Sequence, residues 1–253
     1  MEYVALGAAP GIAICLYFFY RDVYNKEPGL NLVVSFILGC LAILPAIGFE
    51  TAFPIGNKVL TYHTATSLET ALFSYGIVAF SEEFSKFLGL RLYSYNQKAF
   101  DEPLDGIVYA VIISMGFATV ENVMYVMNAA KLGLGWELGI KRMFLSVPAH
   151  ATFAIIMGYF VGKAKFNRSN SFGLMLFGLI GAIFFHGTFD YFLFLNQNQM
   201  VNTGTGNSLL GGGAIVSFIV SLILCRNLIR RDQAISKAMF KGNQPPTTPT
   251  PNA

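Results

Sequence analysis

The sequence predicts an all-α polytopic membrane protein, a transmembrane bundle of about seven helices. Hydrophobic residues make up 54% of the 253 positions and charged residues only 12%, about half the charged share of an average soluble domain. Mean hydropathy is +0.54. The apolar runs are long and continuous, whereas a β-barrel would need strands of about ten residues with strict alternation. The net charge is only +3, and no nucleic-acid partner is expected.

Seven segments are long and apolar enough to cross the hydrocarbon core, which takes roughly 20 residues as a helix. An eighth span is also compatible with the pattern. The seven predicted spans are residues 3–20, 30–53, 68–93, 104–129, 143–162, 172–195 and 209–228. Polar or turn-like residues separate them, for example at 21–29 and 163–170.

The chain is predicted to form a single domain followed by a tail. We interpret residues 1–230 as one transmembrane domain whose polar motifs lie within 68–196. Residues 231–253 are predicted to be a cytoplasmic tail. Its end, 242–253, is expected to be disordered because it is rich in Pro, Thr and Asn.

The distribution of Lys and Arg predicts that the N-terminus is outside and the C-terminus cytoplasmic. In this orientation twelve of the 17 basic residues lie in inside segments and four in outside segments, and Lys86 lies within a span. The twelve are Arg21, Lys26, Arg91, Lys98, Lys163, Lys165, Arg168, Arg226, Arg230, Arg231, Lys237 and Lys241. The four are Lys58, Lys131, Lys141 and Arg142. The predicted location is the cell membrane.

The third span contains two adjacent glutamates, Glu82 and Glu83. A charge at the bilayer centre costs about 2.5–3.5 kcal/mol on insertion scales, so it needs a partner or a function. Lys86 follows Glu82 by four residues and Glu83 by three, so it can pair with either. A charge cluster at a helix end is the simpler alternative, but apolar residues flank the glutamates on both sides and favour an intramembrane site.

Two further polar residues lie in the fourth and fifth spans. Glu121, which precedes Asn122, follows a long apolar stretch, and His150 lies in an apolar span. Taken alone, Glu121 is as well explained by a position near the interface, and His150 by a hydrogen-bonded packing role.

The sixth span carries His186 and Asp190, which are four residues apart and therefore share one helix face. Two ligands at this spacing can contact one ion. The aspartate could instead orient the histidine, or the two could form a purely structural pair.

The glutamates, histidines and aspartate named above, in the third to sixth spans, are predicted to lie at a similar depth in the membrane. In the N-outside orientation, a rise of 1.5 Å per residue puts them in a band roughly 7–21 Å below the outer surface. Independent packing residues would not be expected to share a depth. The sequence therefore predicts one site to which four helices contribute.

Glutamate and histidine supply the oxygen and nitrogen ligands that zinc uses, with a position left for water in catalytic sites. Zinc lowers the pKa of bound water toward 7, and a free carboxylate nearby can act as general base. A metal-free alternative is a buried glutamate that activates water while other polar groups hold the oxyanion. The sequence lacks the GxSxG motif of serine nucleophiles, and it lacks the HExxH motif of soluble zinc proteases and site-2-type intramembrane proteases.

Four short motifs occur in order on separate predicted spans: EExxK at Glu82–Lys86, FxxxE at Phe117–Glu121, His150, and HxxxD at His186–Asp190. In this order the chain resembles the PrsW family of intramembrane proteases, which belongs with the CAAX prenyl protease and bacteriocin-processing group. The resemblance covers about residues 30–196. CAAX-type members often have Asn after the last histidine, so the aspartate here could be a ligand.

The resemblance implies an intramembrane peptidase that cuts a single-pass, anti-sigma-factor-like membrane protein near its extracytoplasmic side. By position, Glu82 and Glu83 would be catalytic, and either could be the base. The resemblance implies a metal or water site, for which the donor chemistry above favours zinc, and Lys86 and Asn122 are predicted to have supporting roles. The implied metal-site residues are Glu82, Glu121, His150, His186 and Asp190.

Two functions of other classes are compatible with the same residues. Intramembrane glutamate and histidine also form the proton relays of coupled transporters, although the inverted repeat typical of many transporters is not evident. A non-catalytic scaffold that binds single-pass helices is the second alternative, and it should hold no stoichiometric zinc.

Overall fold

The computed structural model describes residues 1–198 and 207–241, and this part of the chain is helical without strands. The predicted all-α polytopic class is confirmed. The helices are α1 (Glu2–Arg21), α2 (Gly29–Thr51), α3 (Ser67–Ala71), α4 (Phe80–Leu92), α5 (Pro103–Ala130), α6 (Gly135–Phe144), α7 (Ser146–Phe166), α8 (Ser171–Gln197) and α9 (Asn207–Lys241).

Within the described residues, six segments are long and apolar enough to cross a membrane: Glu2–Arg21, Gly29–Thr51, Pro103–Ala130, Gly135–Phe166, Ser171–Gln197 and Leu210–Phe240. The predicted third span is not among them. There the chain is divided into α3, a π-helical segment at Leu72–Ala79, and α4, and α4 carries charges at Glu82, Glu83, Lys86 and Arg91.

The C-terminal helix is longer than the predicted seventh span. Helix α9 continues to Lys241, so the first part of the predicted tail is helical. The stretch predicted to be disordered, 242–253, lies outside the described residues.

Helix α5 is the centre of the bundle, because it packs against α1, α2 and α7, while α7 also packs against α8 and α9. Every residue from Pro103 to Ala118 is buried. Glycines allow the backbones of α5 and α7 to touch: a Cβ added to Gly158 would lie 2.3 Å from the carbonyl oxygen of Gly106. Small residues permit such close helix contacts in membranes. This contact holds α7, and therefore His150, against α5.

The π-helical segment docks the third predicted span on α8. The Tyr75 hydroxyl lies 2.8 Å from Thr188 Oγ1, and a Cβ on Gly187 would lie 2.4 Å from the Tyr75 ring. Since Gly187 and Thr188 directly follow His186, this contact brings the start of α4 beside the histidine. π-helical turns are rare and often occur at functional sites.

Buried carboxyl groups also gather at the other end of the bundle, where α1 ends and α5 begins. Asp22, Glu27 and Glu102 are each at most 4% exposed. Burial raises the pKa of Asp22 to about 6 and that of Glu102 to about 7. Burial likewise raises the pKa of Glu27 above its usual range. Loss of hydration disfavours the charged form of each group.

Candidate metal centre

Glu82, Glu83, His150 and His186 are all buried, and each offers a ligand atom within 4.8 Å of those of the other three. They come from α4, α7 and α8, which are distant in sequence. The structure thus brings together side chains that the sequence predicted to share a depth.

Lys86 connects the two glutamates on α4. Its Nζ lies 3.1 Å from Glu82 Oε2 and 2.8 Å from Glu83 Oε1, as the helical spacing predicted. It also lies 3.2 Å from Nδ1 of His150 and 4.1 Å from the centre of the Phe117 ring. One buried ammonium group therefore links α4 to α5 and α7.

The His186 ring is held between carboxylates on its two nitrogens. Nδ1 lies 2.9 Å from Glu83 Oε1, while Nε2 lies 3.2 Å from Asp190 Oδ2 and 4.0 Å from Glu82 Oε2. The ring of Phe153 stacks on the imidazole at 4.8 Å, which fixes its plane. The Nε2 atom therefore lies close to two carboxylates, those of Asp190 and Glu82.

Glu121 approaches the centre through His150. Its Oε2 lies 2.9 Å from His150 Nε2 and accepts a hydrogen bond of 2.8 Å from Arg142 Nη2. Asn122, predicted to support the centre, instead accepts from Arg142 Nε at 2.8 Å and donates to the carbonyl of Gly7 at 2.8 Å. It therefore faces α1 and Arg142 rather than the other predicted ligands.

The donor chemistry determines the tautomer of His150. An ammonium group only donates, so Nδ1 must accept from Lys86, and Nε2 must then carry the proton that is donated to Glu121. Both ring nitrogens of His150 are thus in use. For His186, Nδ1 can donate to Glu83, and in that neutral tautomer the lone pair is on Nε2, which faces Asp190.

Sequence reasoning missed two residues that belong to this region. Arg142 was counted among the outside charges, yet it pairs with Glu121. Glu50, near the end of α2, accepts a 3.0 Å hydrogen bond from the Ser81 hydroxyl. The rule that ionisable residues inside a span are functional candidates applies to Glu50, which lies within the predicted span 30–53.

A cavity of about 760 Å³ reaches this cluster. It extends from the candidate metal ligands to three other parts of the chain. These are the segment after α2, at Leu60, helix α6, at Leu138, and the end of α8, at Gln197. Glu82 lines the cavity, whereas Glu83 does not. The residues of the centre that line it are Glu50, Glu82, Glu121, Arg142, His150, His186 and Asp190.

The donor set fits a divalent metal such as zinc. Two imidazoles and several carboxylates supply the nitrogen and oxygen ligands of catalytic zinc sites. The second oxygen of Glu83, Oε2, is buried without a hydrogen-bond partner. Unsatisfied buried polar atoms of this kind are rare and often mark an ion or a catalytic role.

Replacing Arg142 with glutamine should weaken both the fold and the site, because Glu121 would lose its charged partner. The two side chains are only 12% and 16% exposed. We expect the free energy of unfolding to fall by about 1–3 kcal/mol, measured by denaturation in detergent. Lys131→Gln is the control, because Lys131 is exposed and its ammonium group donates to Asn128 on the surface. Equal stability of the two variants would contradict a role for the Arg142–Glu121 pair.

Comparison with known proteins gives one consistent result. The family model described as PrsW family intramembrane metalloprotease matches residues 27–225. A Geobacillus kaustophilus protein named Protease PrsW is 33% identical over 194 residues, covering 77% of this chain and 80% of the relative.

Two further relatives carry the same name. The Shouchella clausii protein is 35% identical over 190 residues, covering 75% of this chain and 82% of the relative. The Bacillus subtilis protein is 33% identical over 191 residues, again with 75% and 82% covered. No solved structure shows a significant match to this chain.

Proposed function

Because this chain belongs to the PrsW family of intramembrane metalloproteases, we propose that it cleaves a single-pass membrane protein with a water molecule activated beside Glu82. The chain is a multi-pass membrane peptidase. The observation that carries the proposal is the buried group of Glu82, Glu83, His150 and His186 at the end of a cavity.

Zinc is the proposed metal, held by His186 and Asp190 on α8 together with His150 on α7, and when bound it would polarise the scissile carbonyl and lower the pKa of water. His186 is the most suitable ligand, since Glu83 orients its ring through Nδ1 and leaves Nε2 available. His150 can contribute only if it gives up its contact with Lys86 or with Glu121.

The two glutamates have different surroundings, which supports different roles. Glu82 lines the cavity, so it can take a proton from water that approaches a substrate there. Glu83 is fully buried and its Oε1 contacts both Lys86 and His186. We assign Glu82 as the general base and Glu83 as the residue that positions Lys86 and the imidazole.

The position of the cavity supports cleavage near the extracytoplasmic side. Its far end is formed by the loop after α2, by α6 and by the end of α8. All three lie outside in the orientation inferred from the Lys and Arg distribution, in which the continuous helical stretch Ser67–Leu92 also crosses the membrane. An anti-sigma-factor-like protein with one membrane helix is a substrate that presents a peptide bond at this depth.

Co-reconstitution of the protein with single-pass test substrates would check this proposal. The substrates should carry the same transmembrane helix but differ in whether the flanking sequence beside either membrane face is flexible or folded. We expect cleavage only when the extracytoplasmic flank is flexible, with the cut mapped by mass spectrometry. Cleavage confined to the cytoplasmic flank would contradict the proposed orientation.

A further inference from the structure

A second group of acidic residues lies at the end of the bundle away from the metal centre. Asp105 precedes Glu121 by 16 residues on the same helix, which is about 24 Å along its axis. The group joins the end of α1, the segment before α2, the start of α5, and α9. Its members, each at most 4% exposed, are Asp22, Glu27, Glu102, Asp105 and Asp232.

This acidic group is not in contact with any basic side chain among the described residues. None of its members forms an ion pair within 4.0 Å of a basic side chain among the described residues. Buried oxygens without a hydrogen-bond partner in this group include Asp22 Oδ1, Asp105 Oδ1 and both oxygens of Asp232. Burying unpaired carboxylates is strongly unfavourable.

The nearest basic side chains are occupied elsewhere. Lys26 is exposed and lies 4.8 Å from the Phe19 ring centre, and Lys163 lies 4.4 Å from the ring centre of Tyr159. Lys165 donates to a backbone carbonyl of the loop between α4 and α5. These charges moderate the field of the acidic group without contacting it.

The contact between the Glu27 and Asp105 carboxyl groups is the feature of the group that most clearly requires a bound proton or cation. Oδ2 of Asp105 accepts from the backbone N–H groups of Asp101 and Glu102, both at 2.8 Å, and Oδ1 has no donor. The Glu27 carboxyl group lies within hydrogen-bonding reach of Asp105. Two carboxylates only accept, so a proton or a cation must lie between them.

The surroundings of Glu27 hold it in place for such a ligand. The Tyr109 hydroxyl donates to Glu27 Oε2, and the Glu27 backbone N–H donates to Asp22 Oδ2 at 3.2 Å. Asp22 Oδ1 is left without a donor, like Asp105 Oδ1. Asp22 and Asp105, from two separate chain segments, therefore each have a buried oxygen without a donor beside Glu27.

We propose that Glu27 and Asp105, assisted by Asp22, bind a hard divalent cation, Ca²⁺ or Mg²⁺. The ligand atoms are all oxygens, which these ions prefer, and Mg²⁺ in particular is held by one or two carboxylates with water completing its shell. The bound ion links the segment between α1 and α2 to the start of α5. The site is independent of the proteolytic centre and stabilises the bundle from the opposite face.

Thermal unfolding of the full chain in detergent, with Ca²⁺ or Mg²⁺ added, tests this site. We expect the melting temperature to rise with either ion and the response to be lost, with affinity weakened about tenfold or more, in Glu27→Gln. Asp22→Asn should weaken the response as well and leaves the Glu27–Asp105 pair in place. Glu137→Gln, which changes an exposed carboxylate paired with Lys141, should respond as the unmodified protein does.

A direct probe separates this site from the metal centre. Tb³⁺ bound beside Tyr109 should show luminescence excited through the tyrosine, and Tyr109→Phe should remove it. The Ca²⁺ response should persist in His186→Ala. Absence of any ion effect on the unmodified protein would overturn the proposal in favour of a shared proton. So would a response kept in both Glu27→Gln and Asp22→Asn, or one lost in His186→Ala.

Discussion

Replacing Glu82 with glutamine is expected to reduce cleavage of a reconstituted single-pass substrate by about 10²–10⁴-fold, the contribution typical of a general base. Glutamine keeps the size of the side chain but cannot take a proton from water. It also keeps an oxygen that can accept from Lys86, which lies 3.1 Å from Glu82 Oε2. The fold should therefore survive, and the loss should appear in kcat rather than in KM.

The matched control for this substitution is Glu137→Gln. Glu137 is 60% exposed and pairs with Lys141 at the surface, so its loss should change activity little. Glu83→Gln should differ from both, because it removes the carboxylate that holds Lys86 and His186 and should lower stability as well as activity. Near-normal turnover by a folded Glu82→Gln protein would remove Glu82 from the role of base.

Replacing His186 with alanine should abolish both metal binding and cleavage. Changing a residue that only orients a metal ligand commonly costs about 10–100-fold in affinity or activity, and loss of a ligand should cost at least as much. We expect close to one zinc per unmodified chain by elemental analysis and almost none in the variant. Removing metal from the unmodified protein with a chelator should stop cleavage, and added zinc should restore it.

A histidine outside the centre provides the control for this experiment. His63 has a backbone φ of 53°, so asparagine, which tolerates this conformation, is a better replacement than alanine. His63→Asn should retain both zinc and activity. Full cleavage by protein from which metal has been exhaustively removed would instead support the metal-free glutamate mechanism.

Local sequence patterns correctly predicted side-chain contacts where both residues lie on the same helix. The i, i+4 spacing of His186 and Asp190 predicted a contact that the structure shows at 3.2 Å, and the spacing on α4 predicted the pairing of Lys86 with both glutamates. Helix geometry alone brings such residues together.

Contacts between distant segments were not predictable in the same way. Arg142 could be read only as a loop-side charge until α6 was placed against α5, where Arg142 reaches Glu121. The sequence also could not show which of Glu82 and Glu83 faces the cavity. They are adjacent on one helix, and only the packing of α8 against α4 leaves one facing the cavity and the other facing Lys86 and His186.

By itself, the sequence determined the membrane class and six of the seven predicted spans, and it singled out the candidate site residues, because hydrocarbon tolerates few charges and those few are conspicuous. Only the tertiary structure decided which of these charged and polar side chains contact each other. It placed His150 between Lys86 and Glu121, and it left Glu27 facing Asp105. The physical reason is that a buried charge is stabilised by whichever partner lies within a few ångströms, and that partner is set by packing between helices remote in sequence.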